Sequence, residues 1–453
     1  MSTSAPDPST ERRGAIDRLL NLFSEVRAGE GGRALLMLVN VFLILVCYYI
    51  LKTVREPLIL GAEVPHALQR LGIHDTAEVK TYASAAQAAL LMGLIPFYGW
   101  FASKVDRSKL MLGVTLFFVV NIVAFALGVG ANVQHIGVYF FIWVGIFSLM
   151  IIAQFWSYAN DTYTKEAGNR LFPIIAIGST LGSPLGAWIS ARMFEARFRP
   201  DAMLYLAAFL LLLTAGLFLP IDKSGSKQRK TVASEARLGG KSGFALVFAS
   251  PYIRLIALLL VLLNVVNTTG EFILSHMVTE RADQLLAASS GFDKKAFIGA
   301  FYGHFFFWVN VVALLMQGLL ASRLVKRFGL AGVLFALPLI ALGSYSIIAL
   351  GASIALVRWA KTAENAADYS VMNTAKQLMW LPTSREEKYK AKQAVDAFFY
   401  RIGDLAAAAV VFIGTSWLAM ESRGFAVTNL LFVVAWLVLA AYIVRENRRL
   451  SAQ

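Results

Sequence analysis

Between residues 353 and 379, an otherwise apolar stretch carries Arg358, Lys361, Glu364, Asn365, Asp368, Asn373 and Lys376. The next apolar stretch, 394–418, carries Asp396, Tyr400, Arg401 and Asp404. A charged group at the centre of a bilayer costs roughly 2.5–3.5 kcal/mol on insertion scales. Each therefore calls for a partner or a water-filled space. With a helical period, 358, 361, 365 and 368 share one face, and 396, 400 and 404 share another. The pairings this predicts are Asp368 or Glu364 with Arg401, and Asp404 with Lys361. One reading is a polar, partly cationic chamber for a solute. The other is a set of ion pairs that hold helices together.

A second group lies near the N-terminus. Lys52, Arg55 and Glu56 follow directly on the apolar stretch 34–51, and Pro57 predicts a break in the helix there. Two cations beside a helix break suit a phosphate or carboxylate ligand. The alternative is an anchor at the membrane interface. Glu271, inside the apolar stretch 253–275, matches Glu56 at an offset of 215 residues. It is a candidate for a gating salt bridge or for carrying a proton.

The elements that must hold these groups follow from composition. The chain has 453 residues, 58% of them apolar and only 15% charged. Its mean hydropathy is +0.62. Soluble domains carry about 25% charged residues, so a pair of soluble domains is excluded, as are disorder and collagen. Cys47 is the single cysteine, which excludes a disulfide scaffold and a cysteine metal site. Apolar stretches at 34–51, 82–101, 110–128, 138–158, 171–193, 203–220, 253–275, 297–320, 329–350, 353–379, 394–418 and 424–444 predict twelve spanning helices.

Twelve spans put both ends of the chain on one side. That side receives 27 of the 42 Lys and Arg residues, the other side 11, and the remaining four fall within spans. The excess predicts that both termini are cytoplasmic. It also accounts for most of the net charge of +14 without nucleic acid as a partner. Residues 1–33 read as a cytoplasmic tail. Its segment 13–27 places Ile16, Leu19, Leu20, Phe23 and Val26 on one amphipathic face. Residues 221–250 read as a cytoplasmic linker and 445–453 as a second cytoplasmic tail.

The halves 34–220 and 251–444 read as repeats. Thr53 and Glu56 match Thr268 and Glu271 at an offset of 215, Ala102-Ser103-Lys104 matches Ala321-Ser322-Arg323 at 219, and Asn160 matches Asn373 at 213. An all-α membrane protein of twelve transmembrane helices, in two parallel six-helix repeats, is the major-facilitator-type fold, with its substrate site between the halves. Gly178, Gly182 and Gly186 recur every four residues and read as a close helix contact. Gly239-Gly240-Lys241-Ser242 resembles a phosphate-binding loop, but Glu235 stands where that pattern needs glycine. The five histidines lack metal-ligand spacing, and no cofactor or metal is expected.

Three segments resemble the nucleotide transporter family, the ATP:ADP antiporters of intracellular bacteria and plastids. They are Tyr49-Ile50-Leu51-Lys52-Thr53-Val54-Arg55-Glu56-Pro57-Leu58, then Phe155-Trp156-Ser157-Tyr158-Ala159-Asn160 with Lys165-Glu166-Ala167-Gly168-Asn169-Arg170, and Lys376-Gln377-Leu378-Met379-Trp380-Leu381-Pro382 with Lys390 to Asp396. The resemblance implies nucleotide exchange across a membrane, with cationic side chains holding phosphates. By position it places Arg55 and Glu56 on the family's basic and acidic residues of span 1, and Lys376 on a basic residue ending span 10. Val144 and Asn267 stand where the family carries acidic residues, and Asp404 stands where it carries a lysine.

The expected ligand is thus a small anionic solute, a nucleotide by resemblance, held by Lys52, Arg55, Asn160, Arg358, Lys361, Lys376 and Arg401. Gating or proton coupling falls to Glu56, Glu271, Glu364, Asp368, Asp396 and Asp404. The expected setting is the inner membrane of a bacterium, and the expected state is a monomer. Two rivals remain: a proton-coupled transporter of another organic anion or a drug, and a membrane enzyme or sensor, for which no catalytic cluster is visible.

Overall fold

The computed structural model describes residues 14–102, 104–105, 107–225 and 242–451, and every regular element among them is helical. Residues 239–241 of the phosphate-loop fragment and residues 226–241 of the linker lie outside the described residues.

A short α1 (Ala15–Leu20) precedes α2 (Gly31–Leu60). After the four-residue α3 (His66–Gln69) come α4 (Thr76–Ala102), α5 (Arg107–Gly130), α6 (Ile136–Thr162), α7 (Lys165–Glu195) and α8 (Pro200–Gly225). The second half runs from α9 (Gly243–Ala249) through α10 (Pro251–Ala288), α11 (Lys294–Leu315) and α12 (Ser322–Ala349). It continues with α13 (Ile354–Ala367), α14 (Asn373–Met379), α15 (Lys392–Ala394), α16 (Tyr400–Phe412) and α17 (Ser422–Ser451). Wider π-turns join several of these, at Met316–Ala321, Asp368–Met372, Glu387–Ala391, Val395–Phe399 and Ile413–Trp417.

Among the described residues, nine helical runs are long and apolar enough to cross a membrane. One of them, Lys294–Ala349, is interrupted at Gly329, where φ is 61° and ψ is −145°. That left-handed residue falls where hydropathy starts a new span, and glycine adopts it without a Cβ clash. Two further long rods, α4 and the composite rod 354–379, lie outside the nine; both carry buried charge.

Packing follows small residues. Gly178, Gly182 and Gly186 of α7 face the backbone carbonyls of Leu38, Phe42 and Val46 on α2. A Cβ at Gly182 or Gly186 would lie 2.5 or 2.6 Å from those oxygens. The four-residue repeat is thus a helix seam, as expected of small residues in membrane helices. On the far side of the molecule from the termini, Gly299 and Gly303 of α11 rest on Phe194 and Ala191 of α7. At the same end, Asp75 meets His276 at 2.5 Å, and Thr415 donates to Glu78 at 3.0 Å. These contacts join first-half helices α4 and α7 to second-half elements α10, α11 and the π-turn after α16.

Three boundaries differ from the sequence reading. Pro57 does not break α2, which continues to Leu60. Proline removes only the bond to the carbonyl four residues back, and a membrane helix tolerates this within a packed bundle. The helix α10 runs well past Ser275 to Ala288. At the N-terminus, the helical face expected over 13–27 is cut short at Leu20. There the Asp17 carboxylate accepts from the backbone N–H groups of Gly14, Gly29 and Gly31, folding the segment back on itself. Leu20 and Val26 pack on Ala34, Leu171 and Ile174, while Ile16, Leu19 and Phe23 remain exposed.

Candidate functional site

Five rods converge on one polar cavity of about 270 Å³. From the first half, α2 contributes Tyr48, Lys52 and Arg55, and α4 contributes Lys80, Ser84 and Gln87. Both sets are spaced i, i+4, i+7, so each lies on one face of its helix. From the second half come Asn264, Asn267, Thr268 and Glu271 on α10, then Asn365 and Tyr369, then Tyr400, Arg401 and Asp404. Phe141 of α6 and Phe306 of α11 complete the wall. A larger hollow of about 600 Å³ between α4, α5 and α6 is lined mainly by apolar side chains, among them Phe97, Phe117 and Trp143, and offers no comparable polar chemistry.

The cations differ in how they are matched. Arg55 Nη2 lies 2.8 Å from Glu56, a fully buried carboxylate, and its guanidinium rests 4.2 Å from the centre of the Phe141 ring. Lys80 Nζ lies 2.8 Å from the other oxygen of Glu56 and 4.0 Å from Glu271. It also donates to Ser275 Oγ at 2.8 Å, and so links the two halves. Glu271 in turn accepts from Asn365 at 2.9 Å. Arg401 stands 3.7 Å from Asp404, whose other oxygen accepts from Thr268 at 2.9 Å.

Lys52 is different. Among the described residues no carboxylate lies within ion-pair distance of it. Its ammonium sits among aromatic rings, 4.4 Å from the centre of Phe306, 5.2 Å from Tyr49 and 5.7 Å from Tyr369. Ring faces attract a cation without neutralising it. Lys52 thus brings an uncompensated positive charge to the cavity wall.

Of the residues singled out by sequence, Lys52, Arg55, Glu271, Arg401 and Asp404 line this cavity, and Glu56 lies directly behind it. The others do not reach it. Asn160 and Asp396 are exposed, and Arg358 stands beside Phe301 and Trp359. Lys361 is fully buried and pairs with Glu364 at 2.8 Å, while Asp368 pairs with Lys376 at 3.2 Å. The expected pairings of Asp404 with Lys361, and of Arg401 with Asp368 or Glu364, are therefore replaced by pairs within single rods. The physical reason is proximity: Lys361 and Glu364, like Arg401 and Asp404, stand three residues apart on one unbroken helical turn, where an acid is nearer than any on another rod.

Hydropathy starts the second span at Tyr82 and so places Lys80 in a loop, outside the sequence-derived site, whereas the structure puts it in α4. The stripe Lys80, Ser84, Gln87 was the signal that could have found it. The pseudo-repeat gains meaning here: Glu56 and Glu271, equivalent by offset, approach the same ammonium from opposite halves. No group of three His, Cys, Asp or Glu residues that could hold a metal ion occurs among the described residues.

A multi-pass, all-helical membrane fold with a charged cavity between its halves defines the class of protein. No family model matches the chain. It is 21% identical over 339 residues to ADP,ATP carrier protein 1 of Chlamydia pneumoniae, covering 65% of this chain and 64% of that one. It is 22% identical over 305 residues to the protein of the same name from Chlamydia trachomatis, covering 56% and 54%. The chain thus spans less than two thirds of the length of either relative.

Among solved structures, the nucleoside transporter NupG superposes with a TM-score of 0.63 at 15% identity, over 91% of this chain and 98% of that one. A POT family transporter superposes with a TM-score of 0.61 at 10% identity, over 93% and 99%. The fold is the major-facilitator type. The chain is distantly similar to ADP,ATP carrier proteins, and the proteins it resembles are transporters rather than enzymes.

Proposed function

We propose that this chain is a secondary active transporter that exchanges nucleotides, of the ATP and ADP kind or another phosphorylated anion, by alternating access. The observation that carries this reading is Lys52, a cation with no carboxylate partner among the described residues, at the wall of a cavity shared by both halves. A buried, unneutralised ammonium is costly, and an anionic solute supplies the missing charge. The distant likeness to ADP,ATP carrier proteins supports a nucleotide as that solute.

In this reading twelve spans form two six-helix bundles, 34–220 and 251–444, that rock about the cavity. Both termini face the cytoplasm of a bacterium, as the Lys and Arg asymmetry favours. The contacts of Asp75 with His276 and of α7 with α11 close the end away from the termini, leaving the cavity to open toward the other. The solute or an ion gradient drives the cycle. Purified protein in liposomes loaded with ADP should take up labelled ATP, and Lys52→Met should abolish that uptake. If no nucleotide exchanges or competes, the nucleotide assignment is wrong.

One observation favours a second reading, proton-coupled uptake of a non-nucleotide anion. Asp404 and Glu271 both line the cavity, where a proton bound to either would sit beside the solute. That reading requires uptake driven by a pH gradient and lost in Asp404→Asn.

A further inference from the structure

The charge of the solute follows from counting what the cavity can neutralise. Its wall holds four cations, Lys52, Arg55, Lys80 and Arg401, and two carboxylates, Glu271 and Asp404. Glu56 lies behind and is shared by Arg55 and Lys80 at 2.8 Å each. The sum is 4 − 3, or a single net positive charge. The neighbouring pairs Lys361–Glu364 and Lys376–Asp368 are internally balanced and add nothing. The loosest of the lining cations after Lys52 is Arg401. It stands 3.7 Å from Asp404, beyond hydrogen-bond distance, and its buried Nε has no hydrogen-bond partner.

A phosphomonoester carries about −1.5 to −2 charges at neutral pH. Lys52 meets about one of those charges, and the remainder faces Arg401, which is only loosely held by Asp404. Each further phosphate adds negative charge that no wall cation is free to meet, and brings it toward Glu271 and Asp404. The aromatic side of the cavity has a complementary role. Tyr48, Phe306 and Tyr369 surround the Lys52 ammonium, and Tyr400 and Phe141 line the same cavity beside Arg401 and Arg55. Such rings stack on a planar ring of the ligand.

We propose that the cavity selects a solute with one phosphate-like anionic centre attached to an aromatic ring, in the manner of a nucleoside monophosphate, over di- and triphosphates. The phosphate is held by Lys52 from the first half and Arg401 from the second. This rests on the transporter reading above and narrows its substrate. Asp404 is then the residue that limits ligand charge, because it competes for Arg401 and repels a second anionic group.

The test is a binding series on the purified full chain, followed by thermal shift, since a ligand that binds only the folded state raises its apparent stability. The probes are adenosine, AMP, ADP, ATP and phenyl phosphate at matched ionic strength without magnesium. AMP should bind about tenfold more tightly than ATP, a difference of roughly 1.4 kcal/mol, and adenosine should bind more weakly than AMP. Lys52→Met should remove the AMP shift and Lys52→Arg should keep it, which separates loss of charge from misfolding. Asp404→Asn should move the preference toward ADP.

ATP binding as tightly as AMP, or a ranking unchanged by Asp404→Asn, overturns the inference while leaving nucleotide transport intact. If phenyl phosphate binds through Lys52 and no nucleotide does, the charge limit stands and the nucleotide assignment fails. Silence across the whole series overturns both.

Discussion

Replacing Glu56 by glutamine gives the sharpest test of how the cavity is held together. This carboxylate is fully buried and meets Arg55 and Lys80 at 2.8 Å each. At an effective dielectric of about 20, each such pair attracts by about 6 kcal/mol, much of it offset by the cost of burying the charges. Glu56→Gln therefore leaves two buried cations facing each other without their shared anion. Breaking a buried pair by removing one partner typically costs about 3–5 kcal/mol, and that is the expected loss here. Lys80→Met should cost less, about 1–2 kcal/mol, because Arg55 still neutralises Glu56. In the double variant the surplus cation is gone, so its cost should fall below the sum of the singles by about 1–3 kcal/mol. Denaturant unfolding of the detergent-solubilised protein, followed by tryptophan fluorescence, measures all three. A Glu56→Gln cost under about 1 kcal/mol, or strict additivity, would show that the cluster is hydrated rather than a closed charge network, and the charge count above would fail with it.

Three further outcomes are expected. Gly182→Val places a side chain where even a Cβ would lie 2.5 Å from the Phe42 carbonyl; it should lower stability by about 1–3 kcal/mol in a melting experiment, whereas Gly216→Ala, with open space around it, should be neutral. Asp75→Asn weakens the contact with His276 that ties α4 to α10, and should speed labelling of a Ser84→Cys probe by a thiol reagent added from that side; unchanged labelling would show that α7 and α11 alone seal it. Glu30 is the third. Burial alone would raise its carboxyl pKa, but hydrogen bonds from the Arg170 guanidinium and the Arg27 backbone N–H outweigh this and hold it below the ordinary 4.5. Its contribution is therefore complete above about pH 4.5 and lost as pH falls through the lower, folded value. Glu30→Gln should flatten the acid limb of the stability profile; an unaltered slope would assign that limb to other carboxylates.

Much of the fold was legible because bilayer residence leaves few options. Long apolar runs must be helices, since every backbone polar group needs an internal partner, and the hydropathy breaks at Gly329 and before Pro251 coincide with real interruptions. The four-residue glycine repeat of α7 announced its contact for the same reason: only a missing side chain allows backbones so close. Helix ends were harder to read. The true start of α4 at Thr76 and the true end of α10 at Ala288 lie in polar sequence, where composition does not distinguish a projecting helix from a loop. Lys80 was lost at one of these ends, although it is the residue that ties Glu56 to the second half.

The site was less legible because its chemistry depends on pairing rather than on residue type. Lys361 shows why. By period it belongs with Asn365 on the cavity face, yet it turns behind α10, where Gly270 leaves room for its ammonium; a Cβ there would lie 2.6 Å from Nζ. Once paired with Glu364 it contributes no net charge to a ligand. Lys52 has the opposite history. It stands one helical turn before Glu56, a spacing that by itself permits an ion pair. What separates Lys52 from Arg55 is lateral packing: Arg55 turns toward Glu56, whereas Phe306, from a helix some 250 residues away in sequence, helps hold the Lys52 ammonium away from any acid. No local pattern encodes that contact. The functional difference between these two cations therefore arises only when the halves come together, and for the same reason an anion bound at Lys52 would report on the closure of one half against the other.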